Sequence, residues 1–212
     1  MNFDQTDDRR MLSDSLSRLL ADTCDPKTRN AAAYTAPFHR PDLWTKLVDL
    51  GTLYALADPA QGGFGGGGFD ITTVFEALGA ALCPEPVLPA LMAARLLTRA
   101  GADLEPLLSG TVTYAVAVCE VNGWDLAEIE TTARNGTLTG RKSVVYGGHL
   151  AELILVVARD GAALSLYEVA ATDAEIIPYA MIDGGGAADI ILDTTPARLL
   201  IADAAADRKS VV

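Results

Sequence analysis

The apolar positions of this chain change their spacing near residue 110. Before that point they recur every three or four residues, as Leu12, Leu16 and Leu19 do, which is the spacing of one helix face. After it, β-branched residues alternate or run together over short stretches such as 111–118 and 153–159, which indicates strands. Helices followed by strands predict an α+β protein. We expect a helical bundle over residues 1–110 and a small antiparallel β-domain, of barrel or two-sheet type, over residues 111–200.

Residue types at the ends of the apolar stripes predict where helices begin and end. Thr6 and Asp70 suit N-cap positions, because their side-chain oxygens accept hydrogen bonds from free backbone N–H groups. Pro41 suits the first turn of a further helix, and Gly51 suits the position just after its end. Residues 26–40 show no clear period, and we predict no element there.

A run of glycines within residues 62–68 raises the question of a phosphate-binding loop, because glycine backbone can close around an anion. No Lys-Ser/Thr pair follows the run, and the surrounding pattern lacks the strand–turn–helix order of dinucleotide-binding proteins. We therefore interpret the run as a flexible connector.

Composition narrows the class of protein. Half of the 212 residues are hydrophobic, and the formal net charge of -12 argues against nucleic acid as the main partner. The cysteines Cys24, Cys83 and Cys119 form no spaced cluster and only two histidines are present, so we expect reduced thiols and no metal site. No basic and apolar leader and no apolar run near ~20 residues occur. We predict a soluble cytoplasmic protein without a membrane segment.

Several short motifs together resemble flavin-dependent acyl-CoA dehydrogenases. Gly140-x-Lys142 and the apolar stretch 151–159 resemble the middle domain of this family. The sequence Ala-Val-Cys-Glu at 117–120 stands where the family carries a small-hydrophobic-Thr/Ser-Glu signature. Upstream, segments within 43–51, 58–65 and 76–79 follow in the order expected for the family's N-terminal helical domain. The resemblance covers nearly the whole chain.

The resemblance implies a cofactor, a substrate and partners. FAD would carry the redox chemistry, and an acyl-CoA thioester would be dehydrogenated to the 2-enoyl-CoA. Electron-transfer flavoprotein would be the acceptor, and the full-length protein would form a homo- or hetero-oligomer. In this family the carboxylate base comes from a C-terminal helical domain. We expect residues 201–212 to be the truncated start of that domain, so we assign no catalytic residue.

By the same resemblance, five residues of the β-domain face FAD: Val118, Cys119, Val144, Val145 and Tyr146. Cys119 replaces a hydroxyl residue of the family, and a thiol is a weaker donor. Val144 replaces an aromatic residue, and Tyr146 replaces Thr. The alternative for the valines is simple strand core, and for Cys119 a small buried hydrophobe.

Trp124, followed by Asp125, matches a Ser/Thr-Asp pair of the family, although the segment before it is one residue shorter. The match implies that Trp124 contacts the substrate. The alternative, a loop aromatic that packs against the protein, stays open.

The last six residues, 207–212, do not continue the Ala-rich pattern before them. They are the residues that the start of a widely used sequencing adapter encodes. We therefore expect the gene to continue beyond codon 206, with a natural terminus as the alternative.

Two functional hypotheses follow from the resemblance. The first is an FAD-dependent acyl-CoA dehydrogenase, represented by its first two domains and inactive as this fragment. The second is a non-catalytic partner subunit of a heteromeric acyl-CoA dehydrogenase, such as one acting on sterol-derived CoA thioesters.

Overall fold

The computed structural model describes residues 6–65, 67–123 and 125–203, and its α-helices all precede its first strand. The helices are α1 (Asp7–Thr23), α2 (Pro26–Ala33), α3 (Pro41–Asp49), α4 (Thr52–Leu56), α5 (Gly68–Ala80), α6 (Val87–Arg99) and α7 (Glu105–Leu108). The strands are β1 (Tyr114–Ala117), β2 (Thr132–Arg134), β3 (Thr137–Tyr146), β4 (Leu153–Asp160), β5 (Ala163–Ala170), β6 (Glu175–Ala180), β7 (Gly186–Pro196) and β8 (Arg198–Ile201). The predicted α+β class is confirmed.

Three of the predicted helix boundaries are present. The side chain of Thr6 accepts a hydrogen bond from the N–H of Arg9 at 3.3 Å, at the start of α1. Pro41 is the first residue of α3. Gly51 follows that helix with a φ of 79°, a left-handed value that glycine adopts at little cost.

Two other boundaries differ from the prediction. The N-cap of α5 is Gly67, and Asp70 lies one turn inside the helix, where its carboxylate accepts from the Gly67 N–H at 2.8 Å and from Arg9 Nε at 2.9 Å. Asp25 caps the unpredicted helix α2 by accepting from the Thr28 N–H at 3.1 Å. The apolar residues of α2 are alanines, apart from the proline at its start, so its sequence carries little hydrophobic pattern.

The strands form one mixed sheet in the order β6-β7-β3-β2-β4-β5-β8, with β1 also paired to β4. β1 and β2 both run parallel to β4, and the remaining neighbours are antiparallel. Over the described residues the sheet does not close, since β6 and β8 are its two ends. The predicted β-domain is therefore present, but its pairing is mixed and it is not a barrel. Alternation of apolar residues reveals a strand and not its direction, which is why the parallel pairs escaped prediction.

Successive residues of the central strands point to opposite faces, and a separate core lies on each face. On one face, Val116 of β1 and Leu155 of β4 pack into the core of the helical bundle. On the other face, Ala115, Ile154 and Val156 belong to a second core within the β-domain. The first core fixes the sheet against the helices and places α6 beside β1.

Some expectations fall outside the described residues, namely the environment of Trp124 and the adapter-like residues 207–212. Of the predicted segment 201–212, residue Ile201 is the last residue of β8. The domain bounds 1–110, 111–200 and 201–212 stay predictions. Among the helices within 6–65, 67–123 and 125–203, none is both long and apolar enough to cross a membrane.

Candidate functional site

A narrow cleft lies between helix α6 and the segments that contain β1 and β3. Its walls carry five apolar side chains, one thiol and one phenol; the lining residues are Pro89, Met92, Val116, Val118, Cys119, Val144 and Tyr146. Four of the five residues that the resemblance assigned to FAD therefore lie together. The Ser143 N–H donates to the carbonyl oxygen of Cys119 at 2.9 Å and so joins the two segments that carry them.

Val145, the fifth of these residues, faces the other way. Its side chain is 1% exposed and belongs to the core on the far side of the sheet. Neighbouring residues of a strand point to opposite faces, so Val144 and Tyr146 line the cleft while Val145 does not. This position matches the strand-core interpretation, and a contact of Val145 with FAD stays a prediction.

The thiol of Cys119 is engaged by the chain itself. Its Sγ lies 3.4 Å from the carbonyl oxygens of Glu120 and of Gly123, distances at which a thiol donates a weak hydrogen bond. Burial raises the pKa of this thiol, with the charge of Lys142 opposing the rise. Cys119 is therefore protonated at neutral pH, and its donor points to the turn that follows it.

A buried ion pair lies next to the cleft. Nζ of Lys142, a residue with 0% exposure, is 2.6 Å from Oε1 of Glu120 and 3.2 Å from the carbonyl oxygen of Val118. The same carboxylate accepts from the N–H and the hydroxyl of Thr131 at 3.0 and 2.6 Å, and from the Glu130 N–H at 2.7 Å. Burial alone would raise the pKa of Glu120, but the hydrogen bonds from Lys142 and Thr131 outweigh burial and lower it. Burial lowers the pKa of Lys142, and Glu120 opposes that shift.

This ion pair joins the segment that follows β1, which contains Glu120, to strand β3, which contains Lys142. Sequence reasoning used Glu120 and Lys142 only as parts of two separate motifs and missed that they pair. The sequence does carry a signal for this pair, because Glu120 directly follows an apolar strand pattern and Lys142 interrupts another. A charge at such a position is buried only when a partner neutralises it.

Val144 occupies an irregular position in β3. The pairing of β3 with β7 shifts register between Lys142 and Val145, which marks a β-bulge. Val144 has a φ of 53°, a left-handed value that is unfavourable for a β-branched residue. Its N–H donates to the hydroxyl oxygen of Tyr179 at 3.1 Å and to Oδ1 of Asp189 at 3.2 Å.

The two acceptors are themselves connected. The Tyr179 hydroxyl donates to Oδ1 of Asp189 at 3.1 Å, and Arg141 donates to Oδ2 of Asp189 at 2.7 Å. Burial alone would raise the pKa of Asp189, but the hydrogen bonds from Arg141, the Val144 N–H and Tyr179 lower it. Burial and the neighbouring Asp189 raise the pKa of Tyr179. At neutral pH the carboxylate is therefore ionised and the phenol is protonated.

A wider hollow is lined by Asn122, Ala127, Glu128, Ile129, Glu130 and Arg159. Trp124 is outside the described residues, so its predicted contact with the substrate stays a prediction. Asp125 begins the short 3-10 helix Leu126–Glu128 and accepts from the Ala127 N–H at 2.8 Å. The guanidinium of Arg159 donates to the carbonyl oxygens of Ile129 at 2.7 Å and of Ala127 at 2.5 Å. These hydrogen bonds use the arginine to hold the loop.

Titratable groups also cluster where the loop before α3 meets the loop before α6. Nδ1 of His39 lies 2.5 Å from Oε2 of Glu85, without hydrogen-bond geometry. Oε1 of Glu85 accepts from the Arg40 N–H at 3.1 Å. The ring of His149 lies 6.2 Å from that of Phe38, and burial, reinforced by the charge of His39, lowers the pKa of His149 to about 4.

Two cysteine thiols meet near the same place. A hydrogen bond from Cys83 lowers the pKa of Cys24 to about 7, against the opposing effect of burial. The same contact and burial raise the pKa of Cys83. The proton therefore stays on Cys83 when Cys24 ionises.

Comparison with known proteins identifies the helical part of this fold. Residues 6–104 match the family model described as the N-terminal domain of acyl-CoA dehydrogenase. Residues 6–104 therefore form an acyl-CoA dehydrogenase N-terminal domain. The resemblance inferred from the sequence motifs is confirmed by this match, which covers the part of the acyl-CoA dehydrogenase chain that forms the helical bundle.

Relatives extend the likeness into the β-domain. Acyl-CoA dehydrogenase FadE27 of Mycobacterium tuberculosis is 28% identical over 193 residues, which cover 87% of this chain and 52% of the relative. The chain spans about half the length of the curated acyl-CoA dehydrogenases it matches.

Solved structures share the fold. The ChsE4-ChsE5 complex from Mycobacterium tuberculosis contains a chain that is 24% identical, with a TM-score of 0.82 over 95% of this chain and 59% of that one. PigA with FAD and proline is 20% identical, with a TM-score of 0.76 over 96% of this chain and 59% of that one. At these identities the likeness shows an acyl-CoA dehydrogenase fold.

Proposed function

We propose that this chain forms one wall of the flavin site in an FAD-dependent acyl-CoA dehydrogenase, which converts an acyl-CoA thioester to the 2-enoyl-CoA. The observation that carries the proposal is the cleft beside α6. It brings Val118, Cys119, Val144 and Tyr146 together from separate parts of the chain. These are four of the five positions that the resemblance matches to flavin contacts.

The cleft residues suit one face of a flat ring system. Val118 and Val144 offer an apolar surface, and Tyr146 adds a phenol to the same wall. Bound FAD would supply the acceptor for the hydride that leaves the acyl chain. Val118, Val144 and Tyr146 would hold the ring by apolar contact and keep water from that face. FAD is present in the PigA structure, which has the same fold.

The base and the partners come from outside this cleft. Among the described residues that line it, none is Asp or Glu, so we assign no carboxylate to proton removal. Electron-transfer flavoprotein is the proposed electron acceptor, and a homo- or hetero-oligomer in the cytoplasm is the proposed working form.

Titration of FAD against the 212-residue protein, followed by quenching of flavin fluorescence, tests the proposal. Val118→Arg places a long charged side chain in the cleft, and we expect it to raise the Kd at least about tenfold. Val121→Arg is the matched control, because Val121 is 73% exposed three residues further on. Equal binding by the two variants would refute the cleft as the flavin site. Reduction of an artificial electron acceptor in the presence of acyl-CoA tests the reaction itself, and it is measured on a protein that also carries the C-terminal helical domain expected to supply the base.

A second function is favoured by the chemistry of two cleft residues. The Cys119 thiol donates to carbonyl oxygens of its own turn, and Val144 offers no aromatic ring for stacking. Both features suit a non-catalytic partner subunit of a heteromeric acyl-CoA dehydrogenase, with sterol-derived CoA thioesters as the substrate class. The ChsE4-ChsE5 complex is a heteromeric assembly of this fold.

Visible absorption distinguishes the two functions. A partner subunit should be colourless when purified and should contribute to a yellow complex only after mixing with a related subunit. A protein that is yellow alone and bleaches when acyl-CoA is added, with no second subunit present, would exclude the second function.

A further inference from the structure

Val144 combines a place in the cleft with a strained backbone. Its φ of 53° lies in a region that β-branched residues rarely adopt. Such a conformation persists only where surrounding contacts hold it, and strain of this kind concentrates at functional sites. We therefore ask whether the strained backbone of Val144 is what places its side chain in the cleft.

The bulge at Val144 explains which residues of β3 reach the cleft. Lys142 pairs with Ile190 and Val145 pairs with Ala188, so three steps along β3 match two steps along β7. Strict alternation would place residues 142, 144 and 146 on one face. The extra residue breaks this alternation between Lys142 and Val145. Val145 lies in the far core with Ile190, and Tyr146 lines the cleft. By this register Lys142 and Val145 pair with residues on the same face of β7, and Val144 and Tyr146 can both line the cleft.

The contacts that hold the bulge come from two other strands. Tyr179 of β6 and Asp189 of β7 accept from the Val144 N–H at 3.1 and 3.2 Å. Arg141 neutralises the same carboxylate at 2.7 Å. An extra residue in a strand loses its ladder partner, so its N–H needs an acceptor from elsewhere. Tyr179 and Asp189 supply it.

We propose that Asp189 and Tyr179 are positioning residues, which hold the bulge of β3 so that Val144 and Tyr146 form one wall of the cleft. The identity of the ligand, FAD, rests on the proposed function. The bulge itself can be tested without a ligand.

Hydrogen exchange of the Val144 N–H, measured by NMR on the full chain, tests the bulge. Asp189→Ala removes an acceptor, and we expect exchange to accelerate about tenfold or more. Asp189→Asn keeps an oxygen acceptor and should stay within about threefold of the parent. Asp193→Asn is the matched control, because Asp193 is exposed on the same strand. An unchanged exchange rate in Asp189→Ala, or an equal change in Asp189→Asn, would overturn the proposal.

Flavin titration tests the consequence for the cleft. With Val144 present, Asp189→Ala or Tyr179→Phe should raise the Kd for FAD about tenfold. In a Val144→Gly background the same changes should raise it less than about threefold, because glycine adopts a positive φ without being held. Equal effects in both backgrounds would show a general structural role and overturn the proposal. If the parent protein alone binds no FAD, the first proposed function fails, and hydrogen exchange alone then decides whether Asp189 and Tyr179 hold the bulge.

Discussion

The ion pair between Glu120 and Lys142 allows a quantitative prediction. Lys142→Met removes a cation that contacts Glu120 at 2.6 Å and the Val118 carbonyl oxygen at 3.2 Å, both in the protein interior. Removing one member of a buried ion pair costs about 3–5 kcal/mol. Glu120 keeps the hydrogen bonds from Thr131 and Glu130, so we expect the lower end, a loss of about 3 kcal/mol in the free energy of unfolding.

The dependence on pH has a definite sign. In the parent protein the pKa of Glu120 is lowered by folding, so its stabilising effect is present above the unfolded pKa and is lost as the pH falls through the folded pKa. In Lys142→Met the main opponent of burial is gone, and the Glu120 carboxyl takes up a proton more readily. The stability difference between the two proteins should therefore shrink as the medium is acidified.

Urea unfolding at pH 7, followed by circular dichroism, measures these losses. Lys46→Met is the control, because Lys46 is exposed on α3, and it should change stability by less than about 0.5 kcal/mol. The double variant Glu120→Gln/Lys142→Met leaves no unpaired charge and should lose less than Lys142→Met alone. A loss below about 1 kcal/mol in Lys142→Met, or a larger loss in the double variant, would refute the reasoning.

Three further predictions use other groups. The pKa of His149 is lowered from its usual 6.5 to about 4 in the folded protein, so the unfolded chain binds the proton first as the pH falls. The contribution of His149 to the free energy of unfolding should be full above pH 6.5 and should be lost between pH 6.5 and about 4. His149→Gln should remove this slope from unfolding free energies measured against pH. Alkylation of Cys24 by iodoacetamide should reach half its maximal rate near pH 7, and Cys83→Ala should move that midpoint upward, whereas an unchanged midpoint would contradict the contact. Gly140→Ala should lower the free energy of unfolding by about 1–3 kcal/mol in urea, because the new methyl group would lie 2.5 Å from the Thr131 hydroxyl oxygen.

The hydrophobic pattern predicted those elements whose side chains are buried in a core. The stretch 153–159 was predicted as a strand and is β4, because alternate residues must fill two cores. The same pattern is weak in α2, whose side chains are mostly small or polar, and in the four-residue edge strand β8. The existence of β8 depends on pairing with β5, which is remote in sequence.

The site could be predicted only as far as motifs extend. The resemblance selected Val118, Cys119, Val144 and Tyr146, and the fold brings them to one cleft. It could not reveal that the Val144 N–H bonds to a carboxylate 45 residues away, or that the buried lysine pairs with a glutamate 22 residues away. Both contacts depend on the register of β3, and a single bulge changes that register without altering the residue types that a pattern detects.

The parallel pairing of β1 with β4 has a consequence for synthesis of the chain. Tyr114 pairs with Leu153, and Leu155 of β4 fills the core of the helical bundle together with Val116 of β1. When a ribosome has produced the helices and β1, this core still lacks its β4 contribution. A nascent chain that ends before residue 153 should therefore keep an open apolar surface, and the helices should gain their full stability only once β4 has emerged. Non-local pairing of this kind slows folding. Between the synthesis of β1 and that of β4, the helical bundle therefore lacks its contacts with β4.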